Sequence, residues 1–259
     1  MKQEDTQLGS AKSSAIASDL PLIEAIHSAP SEDLTRIAAD SSLTADLALA
    51  LMKRADLPTE ALEQIAKNRS AQNRKVKLAV ACHPRTPRHV SVPLVRQLYS
   101  FDLMKLALST RAPADVKLTA DETLIARLKS VTLGERLTLA RQASGKIAAA
   151  LLQDEEKRIM RAALENSRLT ETLVVKAVLK PAANVTLVQA VSRHTKWSLR
   201  RDVQVALLQT PHLSLARALT FACAIPSGRL RVILETSRFP EKIKNHLVRE
   251  SEKASQGQK

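Results

Sequence analysis

Lys77-Leu-Ala-Val-Ala-Cys-His-Pro-Arg-Thr-Pro-Arg-His-Val90 decides the fold: an apolar helical face runs into two closely spaced prolines, and a second helix opens behind them. Proline ends a helix that precedes it but suits a first helical turn, where its missing N–H costs nothing. The unit recurs. A Pro, Thr or Ser followed three residues later by a branched apolar residue is found at Ser31…Leu34, Thr59…Leu62, Pro87…Val90, Pro113…Val116, Ser144…Ile147, Thr170…Leu173 and Pro240…Ile243. A poorer copy starts at Ser214, where position 217 is Arg and only Ala218 could take the apolar place. Successive anchors lie 28, 28, 26, 31, 26, 44 and 26 residues apart. Ser and Thr at such places cap a helix by accepting a backbone N–H. Thr119…Glu122 and Thr132…Glu135 have capping-box spacing and predict two further helix starts.

Ahead of most anchors runs another amphipathic segment: Leu47, Ala48, Leu51 and Met52 in one, Ile159, Met160, Ala163 and Leu164 in another, Leu199, Val203, Ala206 and Leu207 in a third. Each repeat is therefore helix–turn–helix, and neither helix can bury its stripe alone. Stacked neighbours supply the missing surface. The expected fold is all-α, a right-handed α-solenoid of seven to eight short helical hairpins. Composition agrees, because a core of Leu, Ala, Val and Ile at helical spacing needs little else. The chain has 5 glycines, and its aromatics are Tyr99, Phe101, Trp197, Phe221 and Phe239 alone. Residues 1–18 and 251–259, polar and without period, read as disordered ends, with one repeat domain over 19–250. The long interval from Thr170 to Ser214 has room for an extra helix around Asn184–Arg193 and marks an irregularity near 180–198.

The segment from Lys77 through His83-Pro-Arg-Thr-Pro87 to Leu98 resembles one unit of the leucine-rich repeat variant family. That family alternates short helices around an Asn-Pro-x-Thr-Pro-like turn, and here His stands in place of Asn. The other repeats are longer and drift towards HEAT-like units. The resemblance implies an α-solenoid and leaves activity open. The cysteine-bound iron–sulfur domain of the family's founding member does not carry over to a chain with two cysteines, so no cofactor is expected.

Cys82 and Cys223 each fall in an apolar helical segment and are expected to be buried, reduced thiols. No apolar run approaches the roughly 20 residues that span a bilayer. The amino end, Met1-Lys-Gln-Glu-Asp, is acidic where an export signal is basic and then apolar, so the expected location is cytoplasmic. Glycines are too scattered for a phosphate-cradling loop, and no nucleophile elbow or His-Glu-x-x-His helix occurs. Cys82, His83 and His89 lack the spacing of a metal site, so no metal and no catalytic residue are expected.

Charge is the informative polar feature. The formal net charge is +14, yet residues 1–60 carry five Lys or Arg against ten Asp or Glu. The excess sits downstream in clusters. Arg74, Lys75, Lys77, Arg85 and Arg88 surround the opening stretch; Lys157, Arg158 and Arg161 start one helix; Arg193, Lys196, Arg200 and Arg201 flank Trp197. Arg229, Arg231, Lys242 and Lys244 form a fourth group. Stacked repeats would align such residues into a surface for a polyanion. The leading expectation is a non-catalytic scaffold that binds an acidic protein surface. The alternative is duplex DNA or structured RNA, since too few aromatics are present to stack single-stranded bases. A helical-repeat DNA glycosylase, working beside Trp197, is the third.

Overall fold

Sixteen α-helices, three 3-10 turns and no strand make up the described residues, which are Ile26, 29–181 and 183–256 of a computed structural model. The chain divides into two compact units between Arg127 and Leu128. The first holds α1 (Ser31–Ala39), α2 (Ala45–Leu51), α3 (Thr59–Lys67), α4 (Arg74–Cys82), α5 (Arg88–Gln97), α6 (Ser100–Leu108) and α7 (Ala114–Arg127). The second holds α8 (Leu133–Gln142), α9 (Gly145–Leu151), α10 (Lys157–Leu164), α11 (Glu171–Leu179) and α12 (Val185–Arg193). It ends with α13 (Arg201–Gln209), α14 (Leu215–Cys223), α15 (Ser227–Glu235) and α16 (Glu241–Gln256).

Within each unit a helix packs both on its neighbour and on the next helix but one. In the first unit α1 lies on α3 and α5 on α7, while α2 lies on α4 and α4 on α6. In the second, α8, α10 and α12 form one row, and α9, α11, α13 and α15 the other. Buried Leu, Ala, Val and Ile fill the space between rows. All eight anchors begin helices. Thr44 and Ser144 accept the N–H groups of Leu47 and Ile147, and Pro30, Pro58, Pro87 and Pro226 occupy N-cap positions. Thr132 and Glu135 complete the capping box.

The helices end in an unusual way, and the ending explains the period. No described residue has positive φ, so no helix closes on a left-handed glycine. Most instead turn into extended backbone, at Asp40, Asn68, His83, Leu98, Ala143 or His194 for example. Their last carbonyls are then left without partners within the helix, and buried carbonyls need partners. Side chains one repeat away supply them. Asn68 Nδ2 donates to Asp40 O at 2.7 Å, Arg127 Nη1 to Leu98 O at 2.7 Å and Asn166 Nδ2 to Ala140 O at 2.8 Å. Trp197 Nε1 donates to Leu164 O at 2.9 Å, Arg217 Nε to Ser192 O at 2.9 Å and Ser237 Oγ to Leu208 O at 2.7 Å. Arg217 is the residue that spoiled the Ser214 copy; it ties α14 to the end of α12, and Ala218 takes the buried place.

Several expectations need correction. Thr119 lies inside α7, where its hydroxyl donates to Asp115 O at 2.9 Å; capping-box spacing without a preceding turn marks no start. Leu199 is 78% exposed, because the chain breaks into a 3-10 turn over Trp197–Leu199 and α13 begins only at Arg201. The supposed tail continues as helix to Gln256, with Ser251 buried and its hydroxyl within 3.4 Å of Ile225 O. Cys82 is half-buried and Cys223 exposed, both as free thiols. The expected disorder at 1–18 lies outside the described residues.

Candidate binding surface

The basic residues near the opening stretch are mostly engaged within the fold. Asp102 is 3% exposed, and Arg74 covers it with two hydrogen bonds, from Nε to Oδ2 and from Nη2 to Oδ1, the latter at 3.1 Å. The same guanidinium lies 5.0 Å from the Tyr99 ring centroid, and its ion pair with Asp102 raises its pKa. Arg85 Nη1 donates to Asp56 O at 2.8 Å, fastening one turn to the previous one. Lys77 Nζ donates to Gln97 Oε1 at 3.2 Å, and Arg88 Nε stands 4.0 Å from Asp115 Oδ2. Lys75 is exposed at the start of α4 without such a partner. Three of the five candidate cations here thus have protein acceptors close by, and a fourth has a carboxylate at the edge of contact.

His83 belongs to the same scaffold. It is buried, with Nε2 2.9 Å from Arg54 O and Nδ1 accepting the Arg85 N–H at 3.3 Å. Those partners set the tautomer, with the proton on Nε2. Burial pushes its pKa down, and Arg111 and Arg85 push the same way, against the hydrogen bond to Arg54 O. With both ring nitrogens occupied, His83 has nothing left to offer a metal.

The second unit differs. On α10, Ile159, Met160, Ala163 and Leu164 point inward, so Lys157, Arg158 and Arg161 emerge on the opposite face. Between α8 and α10 runs a groove of about 540 Å³, walled by Arg141, Arg158 and Arg161 over Leu137 and Ala162. Between α10 and α12 runs another of about 520 Å³, walled by Lys157, Arg161 and Arg193 beside Ala190. Arg161 and Glu165 border both. Arg141, Lys157, Arg158, Arg161 and Arg193 are all exposed, and none has a side-chain ion pair or hydrogen bond within the protein. Among the described residues lining the two grooves the one acid is Glu165, whose Oε1 lies 3.0 Å from His194 Nε2.

Two of the expected clusters are thus brought together in part. Lys157, Arg158, Arg161 and Arg193 share one surface. Lys196 leans on the core instead, its Nζ 4.2 Å from the Trp197 ring centroid. Trp197 itself is only 1% exposed, so its place among surface candidates is corrected: the indole is a core side chain that closes the end of α10. Arg200 and Arg201 are exposed at the start of α13, in the other row. In the fourth group Arg231 pairs with Glu252 and Lys244 with Glu241. Arg141 was missed, since a single basic residue late in a helix gives no signal until α8 is seen against α10.

Among the described residues no three His, Cys, Asp or Glu converge as a metal site would require, and no helix is long and apolar enough to cross a membrane. Comparison with protein-family models, curated proteins and solved structures finds no match to this chain. What fold and surface define is an all-helical protein with an unpaired cationic face.

Proposed function

We propose that this protein is a non-catalytic helical-repeat scaffold, a right-handed α-solenoid of the leucine-rich-repeat-variant or HEAT-like kind, that holds an acidic protein partner in the cytoplasm. Alternating rows of helices and side-chain ties about 28 residues apart support the solenoid. The single observation that carries the function is the face of Arg141, Lys157, Arg158, Arg161 and Arg193. Five exposed cations without internal counter-ions repel one another, and a fold gains nothing from such an arrangement. An acidic partner relieves that repulsion. Trp197 is buried and forms no stacking platform, which removes the aromatic that a glycosylase reading relied on.

Polyglutamate is a direct probe of the face. At low salt it should bind the native chain with an affinity that falls as salt rises, and Arg158→Glu/Arg161→Glu should reduce binding by about tenfold or more. Equal binding by native and variant protein would remove these residues from the function. Duplex DNA or structured RNA is the second reading, favoured by the recurrence of arginine on three consecutive helices of one row. It predicts a duplex gel shift that weakens steeply with salt and is lost in the same variant.

A further inference from the structure

We infer that the two grooves between α8, α10 and α12 receive an acidic polypeptide segment whose carboxylates alternate with apolar side chains. This rests on the proposed basic surface and adds what lies between the cations. The floor is low and apolar in one groove, where Leu137 and Ala162 lie; in the other, Ala190, Met160 and Leu164 line it together with the polar Thr186, Gln189 and Thr195. Ala162 and Ala190 are half-buried and short, so the long cations on either side stand above them as walls. Each groove, at about 540 and 520 Å³, has room for side chains to enter rather than merely pass over.

That shape discriminates between polyanions. A nucleic-acid duplex meets a protein with a broad, evenly charged backbone that would rest on the wall cations and leave the floor uncovered. A polypeptide can lower alternate side chains into the grooves and lift the others to the walls. Arginine is the predominant wall residue, and its planar fork matches a carboxylate with two parallel hydrogen bonds. Glu165 decides further. Its carboxylate borders both grooves, where an unbroken row of phosphates would be repelled, whereas a peptide can place an uncharged residue opposite it. Apolar side chains on the floor also add a stabilisation that salt does not screen.

The experiment uses the full chain and three fluorescent probes: a peptide of alternating Glu and Leu, the same peptide with Ser for Leu, and a short DNA duplex. Anisotropy titrations at physiological salt should show the Glu/Leu peptide binding about tenfold tighter than either other probe. Ala190→Leu, which fills one floor, should bring the affinity for the Glu/Leu peptide close to that for the Glu/Ser one. Ala162→Leu repeats the test in the other groove, and a helical spectrum and melting temperature matching the native chain qualify each variant. Equal affinity for the two peptides, or tighter binding of the duplex, overturns this inference while the basic surface stands. No binding of any probe even at low salt removes the basic surface as well.

Discussion

His83 shows what the turns of this chain require of a side chain. Asn68, Asn166 and His83 each accept the N–H two residues ahead and donate to a carbonyl in the preceding repeat. Ser237 does the same with a hydroxyl, accepting from Phe239 N at 3.3 Å and donating to Leu208 O. The residue needed is one acceptor and one donor at suitable reach, and the neutral imidazole meets that need as the amide does. Protonation destroys the match, because Nδ1–H would then face the Arg85 N–H. Burial holds the folded-state pKa of His83 below its ordinary value of about 6.5. Its contribution is therefore complete above the unfolded value and is lost as pH falls through it towards the lowered folded value. The melting temperature should drop between neutral pH and about pH 5, and His83→Asn should lessen that drop. His83→Leu should cost about 1–3 kcal/mol at neutral pH by leaving Arg54 O and Arg85 N unpartnered. A native pH profile copied by the Asn variant would contradict this role.

At the scale of elements, the scarcity of glycine and the period of the anchors are two sides of one arrangement. Helices that do not close on a left-handed residue must find carbonyl partners elsewhere, and the next repeat supplies them. The helices were legible in the anchors because Ser, Thr and Pro act locally, within one turn. The ties were not, since Asn166, Arg127 and Trp197 act across whole repeats and look like ordinary polar or aromatic residues in sequence. The fate of the basic clusters was hidden for the same reason: Arg74 and Arg161 differ only in whether a carboxylate such as Asp102 comes near. Gly145 gives an element-scale test. A Cβ at this first residue of α9 would collide with the carbonyl oxygen of Arg168 and crowd Leu173, so α9 can approach the α10–α11 turn only without one. A Cβ on Gly134, in the first turn of α8, meets nothing. Gly145→Ala should lower the melting temperature, while Gly134→Ala should raise stability by up to about 1 kcal/mol. Equal shifts of one sign in thermal melts would contradict the close approach.

Over the whole molecule, charged groups divide into those answered inside the fold and those left without partners there. The chain carries a formal +14, yet its buried or half-buried polar groups are largely answered from inside: Asp102 by Arg74, Asp154 by Arg136 at 2.7 Å, Asn166 by two backbone carbonyls. Five cations without such partners line the two grooves between α8, α10 and α12. If they serve a partner, the isolated protein bears their repulsion, and relieving it should separate stability from binding. In Arg158→Glu/Arg161→Glu the new carboxylates face Arg141 and Arg193 across the grooves and lie beside Lys157 on their own helix, turning repulsion into attraction. At low salt the variant should melt at or above the native temperature although its affinity for acidic probes collapses. The stability difference should shrink as salt rises towards about 1 M, where the screening length falls to roughly 3 Å. Native protein alone should gain stability from the first additions of salt. A variant that melts below the native protein at low salt would mean that Arg158 and Arg161 stabilise the fold, and the cationic face would then be structural.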